Sequence, residues 1–210
     1  MKTIYLVRHG ESEANVALVH GSASTPLTAR GREQAAFIAE RCAKLPIDLV
    51  LGSTMTRAHD TAAIIAERID VRAEFSDLFV ECRGLSKFES KPYNDPEGSA
   101  AWQIIWENFG PGYRFADEEN FDDRKERAEK ALTYLTQRKE DHIVVATHGL
   151  FSRVLISYAV FGASLTAREC NAFMSSFELE NTGLSVLRWD EARRRNPWLV
   201  WVWNDHAHLG

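Results

Sequence analysis

The chain has 210 residues, of which 45% are hydrophobic and 26% are charged, and its formal net charge at pH 7 is -5. This balance is typical of a globular protein and excludes a disordered or fibrous chain. The net negative charge disfavours nucleic acid as a partner. Because the length fits one hydrophobic core, we expect a single domain over residues 1–210.

Apolar runs and cysteine usage indicate the compartment. No apolar run approaches the roughly 18 residues of a membrane span, and the run after Met1 is too short for a signal peptide. Cys42, Cys82 and Cys170 are odd in number and far apart in the sequence, which favours free thiols in a reducing environment. We therefore expect a cytoplasmic protein with no membrane contact.

Short apolar strands alternate with helices in the first part of the chain. The runs at 3–7 and 48–52 are rich in β-branched and aliphatic residues and predict buried strands. A helix is predicted after the N-cap residue Thr28, and another from about Thr56. Residues 71–79 form a weaker candidate for a strand and the segment that leads out of it.

The middle of the chain has a different composition. Gly, Ser, Pro and Asn between 82 and 99 are typical of a loop, and apolar residues at helical spacing over 102–109 predict a short helix. Asp122 or Asp123 is the expected N-cap of the following helix. We expect residues 83–120 to form a helical and loop insertion that covers the active site.

The last part of the chain returns to strands. Residues 142–147 predict a buried strand that leads into a helix, and Thr166 with Glu169 fits a capping box for one more helix. Further strands are predicted at 177–180, 184–189 and 198–203. The first two of these flank a turn and suggest antiparallel pairing.

The order of these elements determines the expected fold class. Alternating strands and helices predict an α/β three-layer sandwich, with a mostly parallel central sheet and helices on both faces. The late hairpin-like pair adds an antiparallel edge strand. In such sheets, ligands bind beyond the carboxyl ends of the parallel strands.

Basic side chains follow three of the predicted strands. Arg8 and His9 follow the first, Arg57 lies in the first turn of the helix after the second, and His148 follows the strand at 142–147. Such groups would repel one another at one site unless a compact anion with several oxygens lay between them. Phosphate is the obvious candidate.

These residue types suggest a reaction. A neutral His9 can attack phosphorus, while fixed arginine donors stabilise the charge on the phosphoryl oxygens. The leaving oxygen needs a proton, for which Glu81 is our first choice and Glu89 the alternative. The arrangement requires no metal or other cofactor.

The same segments resemble the histidine phosphatase superfamily, also called phosphoglycerate-mutase-like. The matching segments are residues 6–15, 26–35, 53–61, 119–127, 147–149 and 204–209. The resemblance therefore spans nearly the whole chain and implies a phosphoglycerate-mutase-like fold.

The resemblance also implies roles for single residues. His9 would carry the phosphoryl group, and Glu81 would donate the proton. Arg8, Asn15, Arg57 and His148 would bind phosphate, and His148 would also count among the catalytic residues. The residues that follow Glu81 depart from the usual pattern of the family.

Several functions share this set of residues. We predict a phosphomonoesterase acting on a small phosphorylated metabolite. Members of this family that are phosphoglycerate mutases resemble one another in a basic insertion with adjacent arginines. A mutase is disfavoured here, because no adjacent arginine pair occurs between Arg83 and Arg127. A phosphohistidine phosphatase or a phosphate-binding signalling protein is the third alternative. The sequence gives neither the substrate nor the oligomeric state, for which a homodimer is one option.

Aromatic residues are concentrated between 79 and 115. They could form an apolar wall over the substrate pocket. They could equally pack the insertion onto the rest of the domain. The sequence leaves both interpretations open.

Overall fold

A six-stranded sheet forms the middle of the fold in the computed structural model, which describes residues 1–209. The strands are β1 (Lys2–Arg8), β2 (Leu49–Gly52), β3 (Ala73–Phe75), β4 (His142–Thr147), β5 (Leu184–Trp189) and β6 (Trp198–Asp205), in the spatial order β3-β2-β4-β1-β5-β6. The first four in that order are parallel, β5 is antiparallel to β1, and β6 is antiparallel to β5. The predicted mostly parallel sheet with antiparallel pairing at one edge is confirmed.

Seven α-helices accompany the sheet. They are α1 (Glu13–Ala17), α2 (Ala29–Cys42), α3 (Thr56–Ile69), α4 (Pro96–Glu107), α5 (Phe121–Gln137), α6 (Gly149–Phe161) and α7 (Ala167–Ser176). Within residues 1–209, none of the helices has both the length and the apolar character needed to cross a bilayer.

The helices form two layers around the sheet. Alternate residues of β1 point to opposite faces, so that Tyr5 packs in a cluster with Ile38 of α2 and Ile65 of α3. Its neighbour Leu6 packs instead with the apolar faces of α5, α6 and α7, including Leu132 of α5. Both faces of the sheet are therefore buried, which confirms the three-layer sandwich.

The N-cap of α5 differs from the prediction. Asn120 is the cap, with extended backbone, and its side chain accepts a hydrogen bond from the backbone N–H of Asp123 at 3.0 Å. The Asp123 carboxylate accepts the N–H of Asn120 in return, at 3.2 Å. The prediction of Asp122 or Asp123 as the cap was wrong, because both lie inside the first helical turn of a capping box.

The predicted strand at 177–180 is absent from the described residues. Side chains occupy the backbone groups of this segment instead: Arg153 donates to the carbonyl of Phe177 at 3.1 Å, and Arg8 donates to that of Leu179. The N–H of Glu180 donates to the Asn204 side chain at 2.8 Å. With these groups engaged, β5 pairs with β6 and not with 177–180.

Two glycines allow the loop after β1 to pack directly on the start of α2. A Cβ atom at Gly10 would lie 2.2 Å from the carbonyl oxygen of Gly31, and a Cβ at Gly31 would lie 1.9 Å from the carbonyl oxygen of Glu11. The backbone N–H of Thr28 donates to the same Glu11 oxygen at 3.0 Å. The backbone of the loop is thereby fixed on the first turn of α2.

Substituting Gly31 by Ala should lower the free energy of unfolding, because the new methyl group would displace the backbone of the loop. We expect a loss of about 1–3 kcal/mol, measured by urea denaturation. Gly98→Ala is the matched control, since Gly98 occupies the same position in the first turn of α4 and its Cβ would meet a side-chain atom of Phe88 at 3.3 Å. Equal losses in the two variants would contradict the close approach of the loop.

Candidate active site

The parallel pairing of β1 with β4 brings two histidines together. Arg8 lies opposite Thr147 in the register, and the N–H of His9 donates to the carbonyl of Thr147 at 2.9 Å. The imidazole rings of His9 and His148 follow directly, with centroids 5.1 Å apart. His9 is 3% exposed and His148 is fully buried.

Hydrogen bonds on both ring nitrogens determine the orientation of His9. Nδ1 lies 2.7 Å from the carbonyl oxygen of Gly10. Because a carbonyl only accepts, this contact requires the proton on Nδ1. The other nitrogen, Nε2, then carries a lone pair and accepts from Nε of Arg57 at 3.1 Å. The nitrogen that carries the lone pair is thus Nε2, held next to a guanidinium.

Two buried arginines supply positive charge to this site. Arg57 lies in the first turn of α3, and its Nη1 donates to the carbonyl of Ser22 at 2.9 Å. Arg8 donates through Nη1 to Leu179, while its buried Nε has no hydrogen-bond partner among residues 1–209. The Nε of Arg8 is therefore available as a donor to a ligand.

Burial and the arginines keep the histidines neutral. Burial lowers the pKa of His9 well below its usual value, and the charges of Arg57 and Arg8 lower it further. The pKa of His148 is also well below its usual value, through burial and the charge of Arg57. At neutral pH, both rings are uncharged bases in a cationic environment.

His148 has one ring nitrogen engaged and one free. Its Nε2 lies 2.9 Å from the hydroxyl oxygen of Ser53, which follows β2. Its buried Nδ1 has no hydrogen-bond partner among residues 1–209. A buried, unpaired nitrogen next to the His9 ring is a site where a ligand atom can bind.

The start of α6 holds the carboxylate of Glu81. One oxygen accepts the N–H of Phe151 and that of Cys82, both at 2.8 Å, and the other accepts the N–H of Leu150 at 3.1 Å. Leu150 and Phe151 are in the first turn of α6, whose free N–H groups favour anions. Burial lowers the pKa of Arg8 and of Arg57, and the nearby charge of Glu81 partly offsets this effect.

Asn15 contacts a residue that the sequence did not single out. Its side-chain oxygen accepts from the N–H of Ser12 at 3.0 Å, in the capping box of α1. Nδ2 of Asn181 lies 3.4 Å from the same oxygen and donates to the carbonyl of His9 at 2.9 Å. Asn181 precedes β5, whose antiparallel pairing places it at the catalytic end of β1.

Ser53 and Thr61 are two further residues that sequence reasoning did not assign a role. Ser53 contacts His148, and the Thr61 hydroxyl accepts the N–H of Gly10 at 3.2 Å while donating to the carbonyl of Arg57 at 2.8 Å. Only their positions in the sequence pointed to a role: Ser53 directly follows β2, and Thr61 lies one helical turn after Arg57.

A cavity of about 900 Å³ opens above the histidines. All predicted site residues except the fully buried His148 line it, including the two candidate acids Glu81 and Glu89. Segment 83–120 contributes Trp102 and Trp106 to the lining. By contrast, Phe88 is buried in a small core with Ile105. The aromatic residues therefore divide between the two interpretations, and we propose that the segment covers the site.

Comparisons with known proteins agree with this geometry. The family model of the histidine phosphatase superfamily (branch 1) matches residues 4–205. Among curated relatives, the adenosylcobalamin/alpha-ribazole phosphatase of Salmonella typhimurium is 31% identical over 72% of this chain and 77% of its own length. The probable phosphoglycerate mutase GpmB of Enterobacter sp. (strain 638) is 28% identical over 100% of this chain and 95% of its own.

Solved structures share the fold. Bacillus stearothermophilus YhfR superposes with a TM-score of 0.83 at 24% identity, covering 100% of both chains. The alpha-ribazole phosphatase of Shigella flexneri gives a TM-score of 0.79 at 24% identity, over 97% of this chain and 96% of its own. At this level of identity the likeness establishes the architecture alone.

Substituting Arg57 by Met should raise the pKa of His9. The variant removes the largest contribution after burial, a positive charge that opposes protonation of the ring. The pH at which His9 gains its proton should therefore move upward, as followed by NMR titration of labelled imidazoles. Arg194→Met, on the exposed surface, should leave this pKa unchanged, and a His9 pKa unaffected by Arg57→Met would contradict the arrangement.

Proposed function

The chain belongs to the histidine phosphatase superfamily, and on that premise we propose that it hydrolyses phosphate monoesters of a small metabolite through a phosphohistidine at His9. The resemblance stated from the sequence motifs is confirmed, and so is the prediction of an enzyme of the phosphatase type. The residue roles, the intermediate and the independence from metal are parts of the proposal.

One observation carries the proposal. Nε2 of His9 presents a lone pair at the carboxyl end of β1, with its proton kept on the far side of the ring by Gly10. Arg57 is hydrogen-bonded to that nitrogen. Arg8 lines the same cavity, and its Nε has no hydrogen-bond partner among residues 1–209. A phosphoryl group placed there would meet a nucleophile and two guanidiniums.

In the first step, the Nε–H of Arg57 turns from Nε2 of His9 to a phosphoryl oxygen, and the freed lone pair of Nε2 attacks phosphorus. The P–N bond forms, the ester P–O bond breaks, and the leaving oxygen takes a proton from Glu81. Negative charge on the phosphoryl oxygens is stabilised by Arg8 and Arg57.

In the second step, water replaces the alcohol. Glu81, now ionised, accepts a proton from water, whose oxygen attacks phosphorus as the P–N bond breaks. The bonding electron pair returns to Nε2 of His9, and phosphate leaves. With Nε2 of His148 accepting from the Ser53 hydroxyl, the ring carries its proton on Nδ1, which is proposed to donate to a phosphoryl oxygen.

The proposal also covers metal use, compartment and partners. The arginines provide the positive charge on which the phosphoryl group depends, so we propose that no metal takes part. Cys42, Cys82 and Cys170 are buried and unpaired, which supports the proposed cytoplasmic setting. Nucleic acid is not proposed as a partner.

Substituting His9 by Ala should abolish hydrolysis of 4-nitrophenyl phosphate, because the attacking nitrogen is lost. Phosphate release by the unaltered protein should be unchanged in excess chelator. His59→Ala is the control, since His59 lies outside the cavity lining. Undiminished turnover by His9→Ala would contradict the proposal, and loss of turnover in chelator would contradict metal independence.

Substituting Glu81 by Gln should slow hydrolysis of alkyl phosphates by about 10²–10⁴-fold, because an alkoxide leaves poorly without a proton. Formation of the phosphoenzyme from 4-nitrophenyl phosphate should be less affected, since nitrophenolate leaves without one. Burst kinetics with both ester types measure this difference. Glu89→Gln should have little effect, and the reverse pattern would assign the proton to Glu89.

A mutase activity is a second candidate because the relative named GpmB covers the whole chain. Incubation with 3-phosphoglycerate distinguishes the two reactions. Hydrolysis releases inorganic phosphate, whereas mutase activity yields the 2-phospho isomer. We expect release of phosphate, and accumulation of the isomer without phosphate would overturn the hydrolase assignment.

A further inference from the structure

Arg124 is a buried cation that the proposed reaction does not use. It lies in the first turn of α5, is 1% exposed and borders the cavity that contains His9. Its Nε has no hydrogen-bond partner among residues 1–209. Its Nη1 donates to the sulfur of Met174 at 3.5 Å, and sulfur is a weak acceptor.

The two carboxylates that directly precede the N-cap of α5 have other partners. Glu119 holds Arg127 with contacts of 2.6 and 2.7 Å. Glu118 accepts the backbone N–H groups of Phe115 and Ala116 at 2.7 and 2.8 Å. Among residues 1–209, Arg124 therefore takes part in no ion pair. A buried charge of this kind is costly unless something compensates it.

Aromatic rings compensate part of that cost. The guanidinium carbon lies 5.9 Å from the ring centroid of Trp106 and 5.5 Å from that of Phe109. These cation–π contacts stabilise the positive charge. They leave the Nε–H without an acceptor, however, so the contacts account for the charge of Arg124 but not for its free donor.

A second unpaired donor borders the same cavity. Nε1 of Trp102 is buried and has no hydrogen-bond partner among residues 1–209. Its ring stacks on that of Trp106, with centroids 6.2 Å apart. Trp102 and Arg124 come from α4 and α5, whereas His9 follows β1 and Arg57 lies in the first turn of α3. Both donors therefore border the cavity from elements other than those that carry His9 and Arg57.

We propose that Arg124 and Trp102 form a subsite for a second anionic group of the substrate, remote from the phosphoryl group that is transferred. The preferred substrates are phosphate monoesters that also carry a carboxylate or a second phosphate. This inference rests on the proposed function, because His9 must first accept the phosphoryl group. A guanidinium with an indole N–H provides the charge and the donors that such an anion needs.

The test compares substrates that differ only in that charge. Two matched pairs of different reach are suitable: 4-carboxyphenyl phosphate with 4-carbamoylphenyl phosphate, and 4-(carboxymethyl)phenyl phosphate with its amide. In at least one pair, kcat/KM should be about tenfold or more higher for the carboxylate, as expected for a charge-assisted hydrogen bond. Arg124→Met should remove this preference and leave turnover of the amides within about threefold.

Further variants separate recognition from a structural role. Arg124→Lys should keep part of the preference, because the charge remains, and Trp102→Phe should reduce it, because the ring remains without its N–H. Arg194→Met, on the exposed surface, should change neither activity nor preference. If Arg124→Met is too unstable to assay, Arg124→Lys and Trp102→Phe test the carboxylate preference instead.

Three outcomes overturn the inference. They are equal kcat/KM within both pairs for the unaltered protein, a preference that survives Arg124→Met, and an equal loss for carboxylate and amide. Hydrolysis of 4-nitrophenyl phosphate is the control for the proposed function. If this hydrolysis depends on His9 while one of the three outcomes occurs, the proposed function holds and only the inference fails. The absence of any such hydrolysis overturns both.

Discussion

The parallel pairing of β1 with β4 is the interaction on which the rest of the site depends. It places His9 next to His148, because the residues that follow two paired strands emerge at the same edge of the sheet. The same edge receives Arg57 from the helix after β2 and Asn181 from the start of the antiparallel β5. Strand pairing thereby brings together residues that are far apart in the sequence. The close approach of Gly10 and Gly31 then fixes the loop that carries His9.

Burial gives these residues their chemistry. In water, a histidine near two arginines would titrate close to its ordinary pKa of about 6.5, but here burial and the arginine charges lower the pKa of His9 well below it. A neutral ring with its proton fixed on Nδ1 is the form that can attack phosphorus. The surrounding guanidiniums lose hydration through burial, and a phosphoryl group would supply acceptors for them. Arg124 is also buried and has no carboxylate partner among residues 1–209. In the proposed subsite, an anionic group of the substrate would supply that partner and so determine which substrates are preferred.

Much of the fold and the centre of the site could be predicted from the sequence, because the signals are local. Arg8, His9 and His148 directly follow short apolar runs, and Arg57 lies in the first turn of α3, so the predicted strand ends and helix start place them at one edge. Asn181 could not be found in this way, since its contact with His9 spans 172 positions and depends on how β5 pairs. The error at 177–180 has the same origin, because distant side chains such as Arg8 occupy its backbone groups. Arg124 is one of several charged residues in the sequence of α5, and only its packing with Trp106 and Phe109 shows that it is buried.

The isomer of phosphohistidine tests the central claim most directly. The Gly10 carbonyl keeps the proton on Nδ1 of His9, so the account predicts that phosphate attaches only to Nε2. Brief reaction of the Glu81→Gln variant with 4-nitrophenyl phosphate should accumulate the intermediate, and NMR with peptide mapping at alkaline pH can assign the phosphorylated nitrogen. Phosphate on Nε2 of His9 is the predicted result. Phosphate on Nδ1, on His148 or on no histidine would contradict the account.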